Sequence, residues 1–297
     1  MTTPLQPAPA TWLPGCEVYL KREDEHELGA FKWRGAMPVM AAHRAAGREA
    51  VVTASTGNHG AATAWAAARL GMRAVVFVPD GVSVAKAGLL GSLGADVREG
   101  GRDLDDAKAT ALVYAAGESL PFFEDGDEPA QYEGYGTIAD EILDEMEPDA
   151  VVVPVGNGAL LAGIGLRLGE RAPETRRIGV VAAGAPVMAR SFAAGHVVES
   201  DSSDTFADGM AVRVAIPRAV SVLREAADEM VEVPDCDIAR AVGMFAEAGL
   251  RVEGSAAAAL AGARAVPSLR GVVVLIVTGR NIDDALWRRA VDDPESF

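Results

Sequence analysis

Short runs of β-branched and apolar residues recur along the chain, separated by longer stretches in which apolar positions return every three or four residues. The runs predict strands at residues 50–54, 74–78, 95–98, 150–155, 177–182 and 271–277. The intervening stretches predict helices at 58–70, 83–93, 103–116, 135–145, 159–168, 237–248 and 255–265, with a last one at 283–291. Strands apolar on both faces and spaced by helices imply parallel sheets covered on both sides. Sheets of that kind place ligands at the carboxyl ends of their strands. The proline-rich segment up to Pro14 is expected to run extended over the surface, and Lys21-Arg22-Glu23-Asp24 reads as a solvated charge cluster.

Four strand ends or neighbouring segments carry candidate chemistry. After the run at 50–54 come Ser55, Thr56, Gly57, Asn58 and His59, small donors at a helix start, which suit a substrate carboxylate or serve as a helix cap with a turn glycine. After 150–155 come Gly156, Asn157, Gly158 and Ala159, either a phosphate cradle at a helix N-terminus or a tight strand–helix turn. It is neither a Walker loop nor a full dinucleotide fingerprint. The run at 271–277 ends in Thr278, a hydroxyl at the sheet edge or a helix cap. Upstream, Lys32 stands among Ala30, Phe31, Trp33 and Gly35. It is either an amine primed in an apolar setting to attack a carbonyl, or an exposed lysine on a helix face.

Composition narrows the chemistry. The 297 residues suffice for two lobes, and 49% apolar with 24% charged residues is a globular balance. A net charge of −16 argues against nucleic acid as partner. The chain has only four lysines, Lys21, Lys32, Lys86 and Lys108, so lysine-dependent chemistry has four candidates. Cys16 and Cys236 have no metal-ligand spacing and suit a reducing cytoplasm. No apolar run is long enough to span a membrane, and the first fifteen residues do not read as a signal peptide.

Taken in order from Thr3 to about Asp284, these segments resemble the fold-type II pyridoxal-phosphate-dependent enzymes, which include threonine and serine dehydratases, serine racemases and threonine synthases. Gly29-Ala30-Phe31-Lys32-Trp33-Arg34-Gly35 is similar to the family's Gly-Ser-Phe-Lys-x-Arg-Gly, which carries the Schiff-base lysine. The resemblance implies the following roles. Lys32 holds pyridoxal 5'-phosphate and takes the Cα proton, Phe31 packs on the ring, and Asn58 meets the ring hydroxyl. Gly156, Asn157, Gly158 and Ala159 hold the phosphate, Thr278 faces the ring nitrogen, and Glu253 lies near the ring. Ser55 to His59 receive the substrate, and Thr56 matches the position where racemases carry a hydroxyl on the opposite face. The fold implied is α/β, with two open twisted parallel-rich sheets flanked by helices and the cofactor between the lobes. A large domain of residues 1–47 and 134–297 and a small mobile domain of 48–133 are expected. A homodimer is a further family expectation.

Thr205-Phe206-Ala207-Asp208-Gly209 resembles the dehydratase and racemase segment Thr-Ile-Ala-Asp-Gly, whereas Glu133-Gly134-Tyr135 and Thr278 are similar to the synthase side. Residues 184–190 contain no carboxylate, so no metal is expected where metal-activated members place one. Nothing follows the last expected helix, so no C-terminal regulatory domain is expected. The preferred activity is β-elimination of water and ammonia from a small hydroxy amino acid such as threonine or serine. The alternatives are a threonine synthase-like or other β-replacement reaction, racemisation, or a catalytically silent ligand-binding relative.

Overall fold

The computed structural model describes residues 1–200 and 203–297. They form two compact units, a large one of residues 1–31 and 135–297 and a small one of 32–134.

The chain begins in the large unit with β1 (Leu5–Pro7) antiparallel to β2 (Cys16–Arg22). The small unit follows: α1 (Trp33–Ala45), β3 (Ala50–Ala54), α2 (Asn58–Arg69), β4 (Arg73–Val78), α3 (Val84–Ser92), β5 (Ala95–Glu99) and α4 (Leu104–Glu118). Its three strands are parallel in the order β3-β4-β5. Beyond α4, residues 121–123 run alongside β3, with Val52 N bonded to Pro121 O and Phe123 N to Val52 O. Helix α5 (Pro129–Leu143) carries the chain back into the large unit. There follow β6 (Ala150–Pro154), α6 (Ala159–Arg171), β7 (Arg176–Ala182), α7 (Val187–Ala194), α8 (Pro217–Ala226), β8 (Glu229–Val233), α9 (Asp235–Glu247), α10 (Gly254–Arg264), β9 (Gly271–Val277) and α11 (Asp284–Asp292). The large sheet has the order β1-β2-β9-β6-β7-β8 and is parallel from β2 onward.

Sequence chemistry sets several element ends. Asp103 caps α4 by accepting from Asp106 N, and Asp283 caps α11 by accepting from Ala285 N and Leu286 N. Pro217 opens α8, where its missing N–H costs nothing. In the large unit β6 is buried along its whole length, and ten of the eleven residues of α10 are buried in the core beside it.

All six expected strands are present, joined by three that the pattern did not predict. β1 is a three-residue edge, β8 shows water one face, and β2 carries Glu17, Lys21 and Arg22 in place of an apolar run. The last point corrects the reading of 21–24 as solvated charge. Lys21, Arg22, Glu23 and Asp24 are all buried, the first two at the end of β2, an inner strand between β1 and β9, and the other two in the helical turn that follows it. Each charge is compensated there. Lys21 Nζ donates to Thr3 O (2.6 Å) and Glu141 Oε2 (2.5 Å), Arg22 grips Asp24 with two bonds, and Thr3 Oγ1 donates to Glu23. The opening segment is likewise not confined to the surface. Trp12 and Leu13 are buried, Trp12 lying edge-on to Phe245 with ring centroids 4.6 Å apart. Among the described residues no helix is long and apolar enough to cross a membrane.

Candidate active site

In the small unit, β3 ends at Ala54 and α2 starts at Asn58, so Ser55, Thr56 and Gly57 form the intervening turn. Ser55, Thr56 and Asn58 are half-buried, and no side chain caps the first turn of α2. Helix starts leave N–H donors unmatched by the helix itself, and those here suit an anion. Ser55 Oγ accepts from Gly57 N at 3.2 Å, which shapes the turn. A Cβ on Gly57 would meet nothing within 4 Å, so the turn is open above that residue.

Lys32 immediately precedes α1, and its side chain is 17% exposed. Its Nζ lies 2.5 Å from Oδ2 of Asp125, a residue the sequence reading did not single out. Asp125 follows the segment paired with β3, so it too stands at the carboxyl edge of the small sheet. Gln131 on α5 donates to Asp125 Oδ1 at 2.6 Å and accepts from Gly126 N at 2.8 Å, while the Tyr132 hydroxyl donates to Gly126 O. His59 is buried edge-on to Phe123, with Nδ1 3.6 Å from Asp125 Oδ1. Burial pushes its pKa below the usual imidazole value, against the opposing pull of Asp125. Burial works to raise the Asp125 pKa. The Lys32 and His59 charges and the bonds from Lys32 and Gln131 outweigh it, holding this carboxyl well below the usual range. The expectation of an amine surrounded by apolar groups alone is therefore corrected: Lys32 sits in an ion pair.

In the large unit, the loop from β6 to α6 places Gly156 and Asn157 half-buried and Gly158 and Ala159 buried at the start of α6. Gly158 has φ +91°, and a Cβ there would press on Met188 Cε at 2.8 Å and Leu223 Cδ1 at 2.9 Å. A Cβ on Gly156 would come within 2.3 Å of the Gly209 carbonyl oxygen. That contact brings the Thr205–Gly209 motif against the glycine loop, where Asp235 holds it through bonds from Thr205 Oγ1 and Phe206 N. Asn157 Oδ1 accepts from Ala159 N at 3.1 Å. Ser255 Oγ is buried with no hydrogen-bond partner among the described residues, next to Gly209.

Thr278 directly follows β9, is 2% exposed, and its hydroxyl donates to Glu253 Oε1 at 3.4 Å. Glu253 N donates to Gly279 O, and Phe31 N donates to Thr278 O, so Phe31, Glu253 and Thr278 form one knot in the large unit. The Phe31 ring lies 5.2 Å from that of Tyr135. Arg280, next in the chain, is exposed. Sequence reasoning missed Asp125, Gln131 and Ser255. An acidic run after a strand-like Pro121-Phe122-Phe123 was the available signal for the first.

A family profile described as "Pyridoxal-phosphate dependent enzyme" matches residues 1–279. The chain is 37% identical to an L-threonine ammonia-lyase of Geobacter sulfurreducens over 91% of its own length and 68% of the relative's. It is 35% identical to threonine dehydratase 2 of Solanum lycopersicum over 91% of this chain, and spans 46% of that relative. Among solved structures, the processed form of threonine deaminase isoform 2 from Solanum lycopersicum superposes with a TM-score of 0.92 at 33% identity, covering 98% of this chain and 88% of that one. Maize serine racemase gives 0.89 at 26% identity, covering 99% and 93%. With a profile match over nearly its whole length, the chain belongs to the family of pyridoxal-phosphate dependent enzymes.

Proposed function

We propose that this chain is an ammonia-lyase that removes water and ammonia from a small hydroxy amino acid, threonine first and serine second, leaving a 2-oxo acid. The observation that carries the reading is Lys32: in a chain of four lysines, this one lies in the family's lysine motif with its amine in acid–base company. The chain-long likeness to threonine ammonia-lyases selects the reaction type.

The residues present fit pyridoxal phosphate. The β6–α6 loop is a cradle too close for a Cβ at Gly156 and Gly158, opens the N-terminus of α6, and lies near an orphaned buried hydroxyl at Ser255. Such a donor set suits a phosphate, and the buried hydroxyl of Thr278 suits a ring nitrogen. When bound, the cofactor supplies an electron sink for the pair left when a Cα bond breaks.

The chain's own residues do the rest. Gly156, Asn157, Gly158 and Ala159 would hold the phosphate, and Phe31, Asn58 and Glu253 would contact the ring. Lys32 would anchor the cofactor through its amine, and the same amine, when free, would take the Cα proton at Nζ. Ser55, Thr56, Gly57, Asn58 and His59 would take the substrate carboxylate, with Thr56 supplying a hydroxyl at the position where racemases carry one. Thr278 would offer the ring nitrogen a neutral hydroxyl, its hydrogen turned from Glu253, and a neutral partner would leave that nitrogen largely unprotonated and favour prompt loss of a β-leaving group. A cytoplasmic homodimer completes the reading.

The test is a screen of threonine, serine, hydroxyaspartate and phosphohomoserine, in both stereochemistries, for ammonia and 2-oxo acid. Release from threonine or serine is expected. Conversion of phosphohomoserine alone would instead support a synthase, and inversion without ammonia a racemase. Borohydride treatment of the loaded protein should leave the reduced cofactor on Lys32 as a secondary amine, its mass less the water lost and plus two hydrogens, and label on another lysine would refute the assignment.

A further inference from the structure

The small unit holds three ionisable groups in one line of contacts, from Lys32 Nζ to Asp125 Oδ2 at 2.5 Å and from Asp125 Oδ1 to His59 Nδ1 at 3.6 Å. The Thr53 hydroxyl settles the tautomer of His59. Thr53 Oγ1 donates its only hydrogen to Phe123 O at 2.9 Å, so in its 3.0 Å contact with His59 Nε2 it must accept. The other neighbour of Nε2, Phe123 O at 3.4 Å, is also an acceptor. Nε2 therefore carries hydrogen in both charge states, and Nδ1, on the Asp125 side, is the atom that gains or loses one. Gln131 fixes the carboxylate between the two bases.

We propose that Lys32, Asp125 and His59 share one proton, so that when the Lys32 amine is neutralised the proton it gives up is held at His59 Nδ1 against Asp125. The proposal rests on the reading of Lys32 as the cofactor lysine and deepens it. In the step, one Nζ–H bond breaks with its electron pair left on nitrogen, and one N–H bond forms on the lone pair of Nδ1. The three groups sum to zero charge before and after.

A lysine that both binds an aldehyde and takes a proton from carbon must change its charge in each turnover. In a half-buried cluster such as this, a neighbour that makes the opposite change avoids leaving an uncompensated ion. The electrostatics run the same way. Burial first, and then the Lys32 charge, keep His59 neutral against the pull of Asp125, while Glu124, the other acid acting on His59, also favours its charged form. Discharge of Lys32 removes one of the two influences holding His59 neutral. It also leaves His59 as the member of the cluster that can carry the positive charge facing the Asp125 carboxylate, so titration belongs to the cluster and not to one residue.

The chain has four histidines, His26, His43, His59 and His196, so ring resonances can be assigned in the full chain by single replacements. Lys32→Met is expected to move the His59 midpoint to higher pH. Comparing Lys32→Met/Asp125→Asn with Asp125→Asn alone, that move is expected to shrink or vanish. An equal upward move in both backgrounds would reduce Lys32 to a through-space charge and overturn the proposal. An unchanged midpoint would do the same. Should the Met chain lose the parent's amide spectrum, Lys32→Gln carries the same measurement. No reading here needs turnover. A chain that shares the proton but releases no ammonia from any amino acid in the screen would refute the lyase reading alone, and a lyase with independent titrations would refute this proposal alone.

Discussion

Three of the small unit's candidate site residues are ionisable and lean on one another: Lys32 on Asp125, Asp125 on His59, with Gln131 bracing the carboxylate. The large unit's are mainly glycines, backbone amides and the Thr278 and Ser255 hydroxyls, with Glu253 beside Thr278. Protons can move in the first set with little change of shape. The second set can do little but hold, and it holds because close backbone contacts leave no room for side chains. Variants in the two units should therefore fail differently, the first through rate and pH and the second through cofactor retention.

The largest expected effect is Lys32→Ala. Loss of the covalent anchor and the proton carrier together should cut turnover by roughly a thousandfold or more, measured as ammonia release, while the fold survives. Next is Gly156→Ala, where the new methyl meets the Gly209 carbonyl oxygen at 2.3 Å. Cofactor affinity should fall by about tenfold or more, and stability by about 1–3 kcal/mol. Turnover of fully loaded protein should change far less, which equilibrium dialysis beside saturating assays would show. A Gly156→Ala chain that binds the cofactor normally but is slow would break the distinction between holding and proton transfer.

Acid should act on the small unit. Asp125 has a depressed pKa in the folded chain, so its contribution is present above the ordinary carboxylate value of about 3.9 and lost as pH falls below it. His59 is also depressed, so the unfolded chain binds more protons, and stability falls as pH drops through about 6.5. Both signs agree. Thermal melting between pH 7 and 3 should show a falling midpoint, and Asp125→Asn should flatten the part below about pH 4. The smallest effect is Thr278→Ser, which keeps the hydroxyl and removes one buried methyl: about 1 kcal/mol of stability and only a few-fold in rate.

Most of the fold was legible because β3, β4, β6, β7 and β9 each contain a short run of apolar residues. β2 was not, since its burial depends on compensation by Thr3 and Glu141, which lie far away in sequence. For the same reason Lys21 reads as exposed until its partners are known. Among the site residues, Lys32 and the glycine loop carry local motifs. Asp125 carries none, and only the pairing of 121–123 with β3 brings it 93 positions back along the chain to Lys32.

Helix α10 has a thermodynamic consequence of its own. Its buried positions are almost all alanine, glycine or serine, with Leu260 the only long side chain among them. Ordering such residues costs almost no rotamer freedom, unlike a helix of leucine or methionine. The innermost helix of the large unit is thus cheap in side-chain entropy, and alanine's high helix propensity favours the same conformation before the sheet closes over it.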